Sequence, residues 1–183
     1  MSELSARREF EPAFTVWFTG LPCSGKTTLA NLLADELSSR SIRSQVLDGD
    51  LIRRTVCRDL GFSREDRDEN IRRIMFIADL LTRNGVVAII AVISPYRSGR
   101  TEARALIGRF VEVYVKASLE VLKARDVKGM YQKAMTGQIT NFTGISDPYE
   151  KPEAPEVLVD TDEQSPDESL GTLMAALTKL NLL

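Results

Sequence analysis

The stretch Gly20-Leu-Pro-Cys-Ser-Gly25-Lys26-Thr27 follows the pattern G-x-x-x-x-G-K-[ST]. Glycines at those positions let a backbone close around a phosphate. The successive N–H groups, and the N-terminus of a helix opening behind them, present positive potential to the anion. Lys26 is spaced to reach the β- and γ-phosphates of a nucleoside triphosphate, and the Thr27 hydroxyl to ligate Mg²⁺. Gly20, Leu21, Pro22, Cys23, Ser24, Gly25, Lys26, Thr27 and the adjoining Thr28 are therefore the candidate nucleotide-binding segment.

What happens to the phosphate depends on other residues. The chain contains no histidine, which removes His-based triads, His metal sites and a His general base. Asp50, in Asp48-Gly-Asp50, is then the candidate base that accepts a proton from an attacking hydroxyl. Asp48 is its companion on the metal side, although a plain turn with acidic corners would also read this way. Arg67 and Asn70 are three apart and share a helical face, one an anion ligand, the other an amide able to bond a base or sugar. Arg64, Arg72 and Arg73 read as solvation of the same helix. Phe62 and Phe142 sit in polar, glycine-flanked contexts, where an aromatic either stacks on a heteroaromatic ring or anchors a small core.

These residues need a frame. Apolar Phe14–Thr19 reads as a first strand, followed by a helix over Lys26–Ser39 with Leu29, Leu32, Leu33 and Leu37 at helical spacing. Ser44–Leu47 is a short second strand and Leu51–Cys57 a short helix. Ser63 caps a helix running to Asn84-Gly85, with Asp66 in a capping-box-like position. Val86–Ile93 reads as a strand buried on both faces and ended by Ser94-Pro95. A helix over Ser98–Ile107, a strand over Phe110–Lys116, a helix over Leu119–Arg125, a strand over Val157–Val159 and a helix over Asp167–Lys179 complete the series. Alternating strands and helices predict an α/β fold: a P-loop nucleoside-triphosphate-hydrolase-like three-layer sandwich, with a parallel sheet and helices on both faces. The 14–183 stretch is expected to be one domain behind a polar leader over 1–13, open to disorder. The long connection over about 126–150, with Gly129, Gly137 and Gly144, reads as a functional lid.

Composition excludes other classes. The 183 residues carry 24 Lys+Arg against 26 Asp+Glu, which argues against a dedicated nucleic-acid binder. The longest apolar run, Val86–Ile93, is far short of the roughly 20 residues of a membrane span. Met1–Pro12 lacks the apolar region of a signal peptide. Cys23 and Cys57 are too few for a disulfide scaffold and read as free thiols. The expected setting is soluble, reducing and cytoplasmic.

Several motifs occur in a fixed order: the phosphate loop, Asp48-Gly-Asp-x-x-Arg53, Asp59-Leu-Gly-Phe62, Asp66-Arg-x-Glu-Asn-Ile-Arg-Arg73, Ile93-Ser-Pro-Tyr-Arg97, Arg125-Asp-x-Lys-Gly129, Phe142-Thr-Gly-Ile145 and Asp147-Pro-Tyr-Glu150. Over about residues 14–162 the chain resembles the adenylylsulfate kinases of sulfate activation. The resemblance implies transfer of the ATP γ-phosphoryl, with Mg²⁺, to the 3′-hydroxyl of adenosine 5′-phosphosulfate. It implies that Asp50, Arg53, Phe62, Arg67, Asn70, Ile93, Ser94, Lys128, Asn141 and Phe142 line the acceptor site, with Phe62 and Phe142 sandwiching its adenine. It also implies that Arg125 lies near the ATP adenine and that 126–147 is the lid. Ser94, regarded in the family as a phosphoserine intermediate, has no neighbouring His and reads better as a substrate contact. A homodimer and a functional link with ATP sulfurylase are further implications. The likeness departs at Pro22-Cys23 and Thr27 in the loop, at Leu51 and Arg54 where Asn and His are frequent, at Ser98-Gly99 for a common Lys-Asp, and at Asn141 for a Gly. Another small-molecule P-loop kinase, or a non-catalytic nucleotide-binding module, would share the phosphate loop.

Overall fold

The computed structural model describes residues 13–183, so all of the expected leader except Ala13 lies outside the described residues. The elements, in chain order, are β1 (Thr15–Thr19), α1 (Lys26–Ser39), β2 (Ser44–Asp48), α2 (Gly49–Arg54), α3 (Arg64–Arg83), β3 (Val87–Ala91), α4 (Arg97–Ile107), β4 (Phe110–Lys116), α5 (Leu119–Ala124), α6 (Met130–Met135), β5 (Val157–Asp160) and α7 (Pro166–Lys179). The strands form one sheet in the order β2-β3-β1-β4-β5, and every pairing is parallel.

Side chains alternate across a strand, and here both faces are apolar. Val16 and Phe18 of β1 and Val87, Ile89 and Ala91 of β3 pack with Leu29, Leu33 and Leu37 of α1 and Leu173 and Leu177 of α7. Trp17, Ala88 and Ile90 face the other way, onto Ile71, Ile74 and Ala78 of α3 and Ala103 of α4. This is the expected three-layer sandwich, and it is why the Val86–Ile93 run lacks polar alternation. Gly99 is part of the close approach: a Cβ there would stand 3.3 Å from the Ile71 side chain.

Caps decide where elements begin. Asp48 accepts hydrogen bonds from the Asp50 and Leu51 amides, so α2 starts at Gly49 rather than Leu51. Ser63 caps α3 through the Asp66 amide, as expected. Ser165 and Glu168 form a reciprocal capping box at the start of α7.

The 126–150 connection contains α6, which the sequence pattern does not predict. Its side chains Tyr131 and Ala134 join Leu122 and Phe142 in a third small core, against Leu21 of the phosphate loop. The strand order fixes where a ligand belongs. From β1 the chain crosses to β2 and β3 on one side and returns to β4 and β5 on the other, so the switch point lies at the carboxyl end of β1. Gly20 is the residue that follows.

Candidate active site

The chain leaves β1 at Gly20, where a Cβ would overlap the Val115 carbonyl oxygen, so only glycine passes between the strands. Gly25, with φ 98°, turns the loop into α1 and serves as its N-cap without a side-chain cap. No acidic residue occupies the first turn of α1. The free N–H groups and dipole end are therefore left for an external anion. Lys26 is 8% exposed. Its Nζ donates to the Leu21 carbonyl at 2.6 Å and to Ser24 Oγ at 3.4 Å, atoms of its own loop. Burial pushes its pKa down to about 8, so the ammonium sits in a site that lacks a full counter-charge.

Thr27 Oγ1 donates to Asp48 Oδ2 at 2.7 Å, joining the first turn of α1 to the end of β2. Two hard oxygens beside a phosphate loop suit Mg²⁺, which keeps several waters and takes one or two protein oxygens plus phosphates. Among the described residues no group of three His, Cys, Asp or Glu side chains forms a larger metal cage. Two residues on, Asp50 Oδ2 lies 3.0 Å from Lys128 Nζ, and this carboxylate holds the Lys128 pKa above its ordinary value. The candidate residues Asp50 and Lys128 thus meet.

A cavity of about 450 Å³ opens beside the loop, lined by residues that include Lys26, Thr27, Arg125, Thr161 and Gln164. Arg125 donates to Thr161 Oγ1 at 2.9 Å and to the Thr161 carbonyl at 2.7 Å, which anchors it at that wall.

The acceptor candidates fall around the N-terminus of α3. Phe62 is 59% exposed, with the Arg53 and Arg67 guanidinium carbons 4.9 and 5.7 Å from its ring centre. Arg67 is buried; it donates to the Phe62 carbonyl at 3.1 Å and to the Asn141 carbonyl, and lies 3.6 Å from Asp147. Asn70 keeps a buried Oδ1 with no partner, an acceptor that a ligand donor would satisfy. Asn141 has φ 56°, a left-handed conformation that Asn adopts more readily than most side chains. Phe142 is 8% exposed and packs edge-on against Tyr131 at 5.0 Å, so of the two aromatics Phe62 is the open one. Ile93 accepts a 2.7 Å hydrogen bond from Thr19 Oγ1. Ser94 Oγ is buried and accepts from the Trp17 indole at 3.0 Å. Cys23, at φ 63°, is an exposed free thiol with its pKa raised by partial burial and by Asp126.

Sequence reasoning missed the side chains that hold these loops together. Tyr131 O–H donates to the Pro22 carbonyl at 2.9 Å, joining the 126–150 connection to the phosphate loop. Trp17 tethers Ser94, and Thr161 seats Arg125. An aromatic placed among polar residues was the one available signal, for Tyr131.

A phosphate loop at the switch point of a parallel sheet, with an acidic strand end and a basic, aromatic face beside it, defines a P-loop phosphotransferase. The family model described as adenylylsulphate kinase matches residues 12–160. An adenylyl-sulfate kinase of Synechococcus sp. (strain JA-3-3Ab) is 55% identical over 163 residues, covering 89% of this chain and 93% of the relative. A protein of Sorangium cellulosum named "Probable bifunctional SAT/APS kinase 2" is 53% identical over 167 residues, 91% of this chain but 29% of that longer protein. The solved Mycobacterium tuberculosis APS kinase in complex with AMPPNP and APS is 39% identical with a TM-score of 0.88, covering 91% of this chain and 98% of that one. The chain belongs to the adenylylsulphate kinase family, and is thereby an ATP-dependent phosphotransferase.

Proposed function

We propose that this chain transfers the γ-phosphoryl of ATP to the ribose 3′-hydroxyl of adenosine 5′-phosphosulfate, giving 3′-phosphoadenosine 5′-phosphosulfate and ADP. The observation that carries the reading is the 3.0 Å meeting of Asp50 and Lys128, two residues along the chain from the Thr27–Asp48 pair. Two carboxylates, Asp48 and Asp50, and the Lys128 cation thus lie together at the carboxyl end of β2, which supports reading them as metal-side group, base and lid cation. The relative solved with AMPPNP and APS supports both ligands.

Asp50 takes the proton from the attacking hydroxyl as the new P–O bond forms, and the γ-phosphoryl leaves ADP in line. Lys26 exchanges the Leu21 carbonyl for phosphate oxygens and stabilises the charge that spreads over the phosphoryl group. Thr27, with Asp48 behind it, would hold Mg²⁺, which supplies charge neutralisation when bound. Arg53, Arg67, Asn70, Ile93 and Lys128 receive the acceptor, and Phe62 and Phe142 receive its adenine. The 126–147 segment closes over the loop and keeps water from the γ-phosphate. Ser94 has no base within its hydrogen bonds, so transfer is direct. The bifunctional relative supports a working link with an ATP sulfurylase. An acceptor panel of adenosine 5′-phosphosulfate, nucleoside monophosphates, sugars and sugar acids with ATP-Mg²⁺ tests the assignment; turnover confined to another acceptor refutes it.

A further inference from the structure

Arg100 stands in α4, outside the phosphate loop and directly behind the acceptor candidate Ser94. It is 3% exposed, and all three of its nitrogens are used. Nε donates to Glu112 Oε1 on β4 at 2.6 Å, Nη1 to the Ser94 carbonyl at 2.6 Å, and Nη2 to the Glu150 carbonyl at 2.7 Å. Glu112 supplies the counter-charge that makes burying a guanidinium tolerable. The two carbonyls receive the rest of the fork.

Those two carbonyls belong to separate chain segments. Ser94 lies in the loop after β3 with φ 40°, a strained backbone that persists only when its surroundings hold it. Glu150 ends the lid segment, and the strip around it is strapped to the Ser94 loop by further bonds. The Glu150 amide donates to the Pro95 carbonyl at 2.8 Å, and the Arg97 amide donates to Glu150 Oε2 at 2.7 Å. Tyr149 completes the junction: its hydroxyl lies 2.9 Å from Thr19 Oγ1, which in turn donates to the Ile93 carbonyl. Thr19 directly precedes Gly20. The strand feeding the phosphate loop, the Ile93-Ser94 loop and the fixed end of the lid therefore meet at Thr19, while the hydrogen bonds of Arg100 go to the last two and to Glu112 on β4.

We propose that Arg100 is a positioning residue for phosphoryl transfer: its planar fork sets the Ile93-Ser94 loop against the lid end at Glu150, and so shapes the acceptor side of the site while leaving the ATP side unaltered. The inference rests on the acceptor reading given above. It needs the fork as well as the charge, because a lysine ammonium presents no planar set of donors aimed at three fixed acceptors. Displacing reacting groups by about 1 Å costs of the order of 100-fold in rate.

The test compares wild-type protein with Arg100→Lys, which keeps the charge opposite Glu112. Steady-state kinetics with ATP and adenosine 5′-phosphosulfate are read beside hydrogen exchange at the Arg97 and Glu150 amides. Arg100→Lys is expected to raise the acceptor KM about tenfold or more, to leave the ATP KM within about twofold, and to speed exchange at both amides together. Acceptor KM and exchange rates equal to wild type overturn the proposal, as does an ATP KM that rises in step with the acceptor KM. If Arg100→Lys fails to fold, the double variant Arg100→Gln/Glu112→Gln, which removes the fork without leaving an unpaired buried charge, is judged by the same criteria. If wild-type protein makes no product from adenosine 5′-phosphosulfate, the acceptor reading falls and the role in transfer falls with it; faster exchange at both amides in Arg100→Lys then shows only that the fork holds the two segments together, and unchanged rates refute that as well.

Discussion

Lys128 Nζ and Asp50 Oδ2 stand 3.0 Å apart, pairing the lid segment with the first turn of α2. Both side chains are largely exposed, so the pair adds little to stability. Its significance is placement: the carboxylate assigned to proton removal is held where the lid comes down, by a cation assigned to the acceptor. Asp50→Asn is expected to lower kcat by about 100-fold or more with ATP affinity preserved in a direct binding assay. An unchanged kcat removes Asp50 as the base.

Lys26 makes a prediction about pH. Its pKa in the folded, ligand-free protein is about 8 against 10.5 when unperturbed. Between those values the unfolded chain binds more protons than the folded one, so the stability of the ligand-free protein rises with pH across that window. Phosphates restore the ammonium's counter-charge. Nucleotide binding near pH 9 should therefore take up a proton, and affinity should weaken by up to about tenfold per pH unit above 8. Calorimetric titration in buffers of different ionisation enthalpy measures the uptake; a value of zero contradicts the account. Lys26→Ala should lower kcat by about 100- to 1000-fold.

The Thr27–Asp48 hydrogen bond places Asp48 behind the metal-side hydroxyl. Asp48→Asn keeps a good N-cap for α2 and removes only the charge. The Mg²⁺ concentration for half-maximal activity should rise about 10-fold or more, with thermal melting little changed. An unaltered Mg²⁺ dependence assigns Asp48 to capping alone.

Ser94→Ala separates direct transfer from a covalent intermediate. The substitution leaves the buried Trp17 indole N–H without its acceptor, a cost of about 1–3 kcal/mol in stability. Turnover should nevertheless persist, and intact-protein mass spectrometry of wild type during turnover should show no phosphoserine. Loss of all turnover in a folded Ser94→Ala, together with a phosphorylated wild type, would establish the covalent route.

Where a single stretch of chain carries its own instruction, the sequence was legible to the residue. The α1 leucines repeat at helical spacing behind a glycine loop, and the apolar Phe110–Lys116 run has no competing pattern; both elements begin and end as expected. The parallel sheet followed from strands alternating with helices, and from the one unbroken apolar run, Val86–Ile93. Helix α6 escaped because Met130–Met135 is under two turns, too short for periodicity to register. The start of α2 moved because Asp48, read as a metal-side carboxylate, also caps the helix. The phosphate loop, Asp50 and Lys128 were visible as residue types. The contacts that orient them were not, because Trp17–Ser94, Tyr131–Pro22 and Arg100–Glu150 join positions that only the folded sheet and lid bring together.

The central claim is tested most directly by incubating wild-type protein and Lys26→Ala with ATP, Mg²⁺ and adenosine 5′-phosphosulfate, and identifying the nucleotide products by mass spectrometry and phosphorus NMR. The account predicts equal amounts of ADP and a product phosphorylated on the ribose 3′-oxygen with wild type, and neither with Lys26→Ala. ADP and free phosphate without a 3′-phosphorylated product, or no turnover by a folded wild-type protein, would contradict it.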